Sequence, residues 1–389
     1  IDVNDRNINL DFEGGINFTS KLPAFNFNAK LRNTNLHKLG LTKDTIQVDA
    51  DFHTAFTGNN LNNIQGNLQL SRIRLTTSDH SLVVDSVYVN ASGLGNARSL
   101  TINSDILDAG ITGQYDLSRL PNYFSSVIKQ YVPSLRLKTG PIGIQNFDFS
   151  LNLKYFEPVS VMFIPALKIP EGANFQGHFA SAENVATLSG SSSLIEYNKI
   201  KINNLIIDEG TTPKALNVFL TADRVDITDS LYIQNVAMAN IFHNDSLSLN
   251  IKLSDKDAVN QLDLNGLIEF DTKDFASLSL LPSDVIINRE TWRVPEQVRF
   301  NYDKGKLTIN DFAFFRDNQY LTLDGIISED PKDKLNAGFK QFKLGTFNPI
   351  TKTRGIILDG ELNGNIILSS ITKTPKIESD LVIDSLVMN

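Results

Sequence analysis

Residues 356–368 read Ile-Ile-Leu-Asp-Gly-Glu-Leu-Asn-Gly-Asn-Ile-Ile-Leu. Ile356, Leu358, Gly360, Leu362, Gly364, Ile366 and Leu368 fall on one side of an extended chain, and Asp359, Glu361, Asn363 and Asn365 on the other. A period of two belongs to a β-strand, whose successive side chains point to opposite faces, whereas a helix needs a period near 3.6. The stretch is therefore a long strand with one dry face and one wet face. Residues 261–270 repeat the pattern, with Leu262, Leu264, Gly266, Ile268 and Phe270 opposite Gln261, Asp263, Asn265 and Glu269.

The same alternation recurs from end to end. It returns at Leu68/Leu70, Phe147/Phe149/Leu151/Leu153, Leu216/Val218/Leu220, Leu247/Leu249/Ile251/Leu253, Val298/Phe300/Tyr302, Leu321/Leu323/Gly325/Ile327 and Ile377/Leu381/Ile383. Short breaks of turn-forming residues separate such runs, as at Thr57-Gly58-Asn59-Asn60, Asp208-Glu209-Gly210-Thr211 and Asp303-Lys304-Gly305-Lys306. Roughly twenty strands with short connections favour an antiparallel meander, because parallel pairing needs long crossovers. Glycines inside the runs, such as Gly66, Gly360 and Gly364, mark bends or close approach of a neighbouring backbone. At about 4.8 Å per strand, some twenty rungs would make one all-β element on the order of 100 Å long.

Two stretches depart from the pattern. In residues 118–131, Leu120, Phe124, Val127, Ile128 and Tyr131 recur at helical spacing and Pro121 suits a first turn, which predicts one short amphipathic helix near 119–131. Residues 155–170 are apolar but carry Pro158, Pro165 and Pro170. Proline cannot donate to a ladder, so this segment, with Met162 and Phe163, is expected to cross or plug the sheet. The expected division is a β segment over 1–117, a helix and proline-rich insertion over 118–170, and a β segment over 171–389.

Composition narrows the function classes. The 389 residues hold no cysteine, 36 basic and 44 acidic side chains, for a net charge of −8. Without basic clusters there is little to attract nucleic acid or anionic lipid surfaces, and without cysteine there are no disulfides, thiolate nucleophiles or cysteine metal sites. No apolar run approaches the ~18 residues of a transmembrane helix. The chain starts at Ile1 and ends inside an alternating pattern at Val387-Met388-Asn389, and so reads as an excerpt of a longer protein. His37, His53, His80, His178 and His243 show no metal-ligand spacing, and no nucleophile elbow, P-loop or dinucleotide fingerprint is present. Asp49/Asp51 and Asp105/Asp108 could in principle serve as acid–base pairs, but alternation sets Asp49 and Asp51 on a wet strand face. No enzyme activity, metal or cofactor is expected.

What remains is the dry face. A β-sandwich or solenoid would close it with a second layer, and an outer-membrane barrel would turn it to lipid between aromatic girdles. A single tryptophan, Trp292, offers no sandwich pin, and the 24 phenylalanines sit among aliphatic residues. In the order of its patterns the chain resembles the TamB family, within the AsmA-like group of bridge-like lipid transfer proteins. The resemblance is carried by Leu36-His37-Lys38-Leu39-Gly40-Leu41, by residues 56–66 followed by Leu68 and Leu70, and by Asn103-Ser104-Asp105-Ile106 leading to residues 111–117. Leu281-Pro282-Ser283 with Trp292, and residues 358–364 with Pro375, complete it.

The resemblance implies a β-taco, an open U-shaped antiparallel trough with an apolar interior. It would conduct phospholipid acyl chains through the periplasm of a double-membrane bacterium, anchored in the inner membrane by a segment outside this excerpt. An apolar lining suits that task, since each methylene exposed to water costs about 0.8 kcal/mol, roughly 12 kcal/mol for a sixteen-carbon chain. The alternative the family implies is an adaptor for outer-membrane protein assembly and secretion, acting with a TamA/BamA-type barrel. By alternation the groove lining is expected to be Leu68, Leu70, Phe147, Phe149, Leu151, Leu216, Val218, Leu249, Ile251, Leu262, Leu264, Ile268, Phe270, Leu321, Leu323, Ile327, Leu358, Leu362, Ile366 and Leu368. Asp263, Glu269, Asp324 and Glu361 should face water. A plug or lid is expected from Leu120, Phe124, Val127, Ile128, Tyr131, Met162 and Phe163.

Overall fold

The computed structural model describes residues 1–228, 231–255, 259–272, 274–295, 297–351 and 355–388. Its fold is all-β, one antiparallel sheet of 27 strands with few helical turns. Contacts divide the chain into two units, Ile1–Tyr123 with Gly140–Gly210 and Phe124–Thr139 with Thr211–Asn389. The division expected at 117/118 and 170/171 is not where the contacts part.

The first unit contains β1 (Asp2–Asp5), β2 (Ile8–Asn17), β3 (Ala24–Asn35), β4 (Gln47–Thr57), β5 (Gln65–Thr76), β6 (Ser81–Ser92), β7 (Arg98–Ser104) and β8 (Leu107–Gln114), then β9 (Asn146–Leu153), β10 (Leu167–Lys168), β11 (Ala173–Ala180), β12 (Val185–Tyr197) and β13 (Ile200–Thr211). Each pairs with the next, except that β9 pairs with β11 while β10 and β11 lie end to end along β12. Helix α1 (Leu120–Tyr131) is the expected helix, and the unit boundary falls inside it. The proline-rich segment holds a second helix, α2 (Glu157–Phe163), with Pro158 in its first turn, so the expectation of one helix is corrected.

The second unit contains β14 (Leu216–Thr228), β15 (Leu231–His243), β16 (Ser246–Ser254), β17 (Gln261–Thr272), β18 (Phe275–Leu280), β19 (Ser283–Ile287) and β20 (Glu290–Val294). It continues through β21 (Val298–Asp303), β22 (Lys306–Arg316), β23 (Gln319–Ile327), β24 (Lys334–Lys343), the one-turn α3 (Asn348–Thr351), β25 (Leu358–Ser369), β26 (Lys376–Ser379) and β27 (Val382–Met388). Several rungs here are two strands laid end to end. Strands β18 and β19 share β17, β21 and β20 share β22, and β26 and β27 share β25. The first break falls at Leu281-Pro282, where proline has no N–H to give the ladder. Hairpins close on left-handed pairs, Asn244-Asp245 (φ 47°, 57°) and Asn288-Arg289 (φ 54°, 66°), the geometry that matches strand twist.

One expected turn is corrected. Residues 208–211 continue β13, with Asp208 opposite Ser189, Glu209 opposite Leu188 and Gly210 opposite Thr187. The reversal follows at residues 212–215, closed by the Thr212 amide donating to the Ala215 carbonyl at 2.7 Å. Turn-type composition there is overridden by a partner strand long enough to keep pairing.

Three bulges share one construction. Asn33 (φ 51°), Asp311 (φ 51°) and Gln341 (φ 46°) are left-handed inside β3, β22 and β24, each at a shift in register. A bulge leaves an N–H without a ladder partner. In all three a short side chain on the next strand accepts it: Asp49 Oδ1 from Asn33 at 2.7 Å, Asp324 Oδ1 from Asp311 at 3.3 Å and Asn363 Oδ1 from Gln341 at 2.7 Å. Gly66 (φ +122°) meets the other need, close approach, since a Cβ there would lie 2.1 Å from the Ala55 carbonyl oxygen.

Candidate functional site

In the first unit the registers set apolar residues directly opposite one another across strand after strand. One row runs Ile16, Phe25, Phe56, Gly66, Ala91, Leu100, Ile111, Phe149, Gly177, Leu188 and ends at Glu209. Beside it run Gly14, Phe27, Thr54, Leu68, Val89, Ile102, Ala109, Leu151, Phe175, Gly190 and Ile207. At about 4.8 Å between strands, eleven positions make an apolar ribbon roughly 48 Å long.

The second unit repeats this over shorter spans. Leu249 faces Gly266, Leu280 and then Val298, while Ile251 faces Leu264 and Leu247 faces Ile268. Leu321, Leu323 and Ile327 of β23 share a face with Phe314, Phe312 and Leu307 of β22, and Ile366 and Leu368 with Ala337 and Leu335 of β24.

These faces are only partly covered. Leu68, Leu70, Phe149, Leu151, Leu249, Ile251, Leu262, Leu264, Ile268, Leu321, Leu323, Ile327, Ile366 and Leu368 are all half-buried rather than buried. A sandwich core would shut such side chains away from water. The chain exposes 22477 Å², whereas one compact globule of its mass would expose about 15,000 Å² and two of half the mass about 18,000 Å² in total. Set against two separate compact units, the excess fits sheet faces left without a second layer.

Parts of both faces are covered among the described residues: in the first unit Phe156, Leu167 and Ile169 pack with Leu107, Leu151, Leu153, Ala173 and Phe175. In the first unit, Val159 and Met162 of α2 pack on Ala50, Ile73, Leu82, Val84 and Ile106 at one end of β4–β7. Phe163 does not join them and is 53% exposed. Leu120 is half-buried, and Tyr123 packs edge-on against Phe179, which lies on Phe147. In the second unit, Val127, Tyr131, Val132 and Leu135 cover Leu216, Val218, Phe242 and Phe270. The Tyr131 hydroxyl donates to the Thr212 carbonyl at 2.7 Å, and the Asp245 amide donates to the Tyr131 carbonyl at 2.9 Å. The helix thus buries the line Tyr123, Val127, Tyr131, while Phe124 and Ile128 point outward at 53% and 41% exposure. That corrects the expected stripe, because the two tyrosines, apolar along the ring and polar at the tip, fix the rotation of the helix.

The cover around Trp292 has little signal in the sequence. Trp292, fully buried, stacks on Phe314 and leans on Phe342, joined by Leu344, Phe347, Leu358 and Leu362. The residues 344–351 between β24 and β25 form a strap whose Leu344 and Phe347 reach into this cluster. Leu362 is therefore in a closed core, and half-buried Leu358 and Leu321 pack against it. The lone tryptophan and the unalternating Gly345-Thr346-Phe347-Asn348-Pro349 were the available signals.

The wet face does more than carry charge. Asp263 binds Lys252 at 3.0 Å, Glu269 binds Arg299 at 3.2 Å, Asp324 is exposed and caps a bulge, and Glu361 accepts from Asn363. Asp51 is buried, not solvated, and is held between Arg32 and Arg72. His178 sits 2.8 Å from Asp148 and His53 2.5 Å from Asn28, and no group of His, Asp and Glu among the described residues could hold a metal ion. Glu209 is the exception on the dry face: burial, then the charge of Asp208, push its carboxyl up to about 7. Compared with protein-family models, with curated proteins and with solved structures, the chain matches none.

Proposed function

We propose that the chain is a TamB-like segment of a bridge-like lipid transfer protein, and that its dry face conducts phospholipid acyl chains. The observation that carries this is the ribbon of the first unit, in which twenty-two positions over two rows include one ionisable side chain, Glu209, and one hydroxyl, Thr54. A hydrocarbon tail moved along such a row stays out of water at every step, which removes the roughly 0.8 kcal/mol per methylene that would oppose transfer. Headgroups stay in water at the open side and need no cradle. The reading carries with it a periplasmic location, an inner-membrane anchor elsewhere in the protein and a barrel of TamA/BamA type at the outer membrane. It assigns no catalytic residue and no cofactor.

The test is photo-crosslinking in cells. Crosslinkers at Leu68 and Phe149 should capture phospholipid, and those at Gln69 and Ser150, one position away on the other face, should not. Equal capture at both sets would refute the groove, because a shift of one residue inverts the face.

A further inference from the structure

The strap of residues 344–351 does more than pack against Trp292. Together with β16, β17 and β19 it bounds a cavity of about 450 Å³ in the second unit. Its floor is Leu253, Leu262 and Val285, directly opposite one another across three strands, and Ile287 extends the wall. Thr346 and Pro349 of the strap line the other side. One end is polar, with Gln234, Ser254, Asp255, Asn260 and Gln261. At that end the Asp255 carboxylate accepts from the amides of Val259 and Asn260 at 2.7 and 3.1 Å and from Asn260 Nδ2 at 2.6 Å.

We infer that this cavity is a binding site for a single fatty-acyl chain, a resting place roofed by the strap, and the inference rests on the lipid-conducting reading above. Apolar walls with one polar end match an amphiphile entering tail first. No Lys, Arg or His lines it among the described residues, so it has no grip on a phosphate or carboxylate and selects for the tail. Taking a methylene as about the ~30 Å³ share of one water, the 450 Å³ holds on the order of fifteen carbons, one chain and not two. The roof is fixed in place. Asn348 accepts from the Leu358 amide at 2.8 Å and donates to its carbonyl at 3.0 Å, and Asn288 Nδ2 donates to the Gly345 carbonyl at 3.0 Å. A strap pinned at both ends makes a lasting pocket out of an open face.

The purified protein is irradiated with palmitic acid carrying a diazirine near its methyl end, and separately with phosphatidylcholine vesicles carrying the diazirine in one acyl chain. Labelled peptides are then mapped. Labels should concentrate on the peptides bearing Leu253, Leu262, Val285 and Thr346, from both probes if the tail is what is recognised and from the free acid alone if only a single-chain lipid fits. Leu262→Trp, which fills the floor, should lower labelling there at least tenfold and leave labelling at Leu68 and Phe149 unchanged. Thr346→Trp should do the same from the half-buried roof, where a fold defect is not at issue. Labelling along the rows of the first unit with none in the cavity overturns the pocket and leaves the conducting face standing. Labelling nowhere overturns both, and cavity labelling that neither tryptophan reduces overturns the one-chain site.

Discussion

The two units use the same long antiparallel strands and stabilise them differently. In the first unit the rows cross eleven strands without interruption, and the buried cluster under α2 is made of small aliphatic residues, Ala50, Ile73, Leu82, Val84 and Ile106. In the second the rungs are split at Leu281-Pro282 and at Asp380-Leu381, and an aromatic stack around Trp292 fills the concavity together with the strap. One face is held open by a ladder that is nearly self-sufficient. The other is packed from inside around Trp292, and the strap leaves space only in the cavity beside it. Openness and inward packing compete for the same surface, so a sheet of this kind is firm where it is plugged and available where it is not.

Removing the stack breaks the comparison most. Trp292→Ala leaves a large cavity and should destabilise the second unit by about 3–5 kcal/mol, read by hydrogen exchange in β20–β25, while amides of β3–β9 keep their protection. In the first unit the corresponding weak point is the backbone. Gly66→Val puts a Cβ against the Ala55 carbonyl at a φ that L residues avoid, for a loss of about 1–3 kcal/mol or more, visible as faster exchange in β4 and β5 alone. Asn363→Ala orphans the Gln341 amide, which water can reach at this exposed site, so the loss should be about 1 kcal/mol or less by urea unfolding.

A pH slope confined to the first unit sharpens the comparison further. The folded Glu209 carboxyl titrates near 7 against an ordinary value of 4.5, so between these pH values the folded state holds more proton than the unfolded one and stability falls as pH rises. Glu209→Gln should flatten that slope, and an unchanged slope would mean that Glu209 is as well solvated in the folded chain as in the unfolded one.

Much of this was legible as period two. The lining expected at Leu68, Leu70, Phe149, Leu151, Leu249, Ile251, Leu262, Leu264, Ile268, Leu321, Leu323, Ile327, Ile366 and Leu368 sits on the apolar rows, because each lies in a stretch without a bulge. Alternation fails where a left-handed residue resets parity: Ile309 and Phe312, three apart, face the same way, as do Phe339 and Phe342. The run 208–211 has the residue types of a turn, yet its partner β12 keeps it paired. The covers were the least legible part. Leu216, Val218, Phe270, Leu358 and Leu362 alternate like their neighbours, and only the tertiary positions of α1 and the strap decide that they are shut in.

The bulge caps tie the two faces together. Asp49, Asp324 and Asn363 look like interchangeable solubilising residues, yet each holds a kink that sets how far its strand turns. At these three bulges the bend of the apolar face is thus set by polar side chains on the opposite side of the sheet. A change of Asp to Lys at such a position would leave every apolar side chain untouched and still release the bend, so the curvature of the dry face is inherited through residues on the wet one.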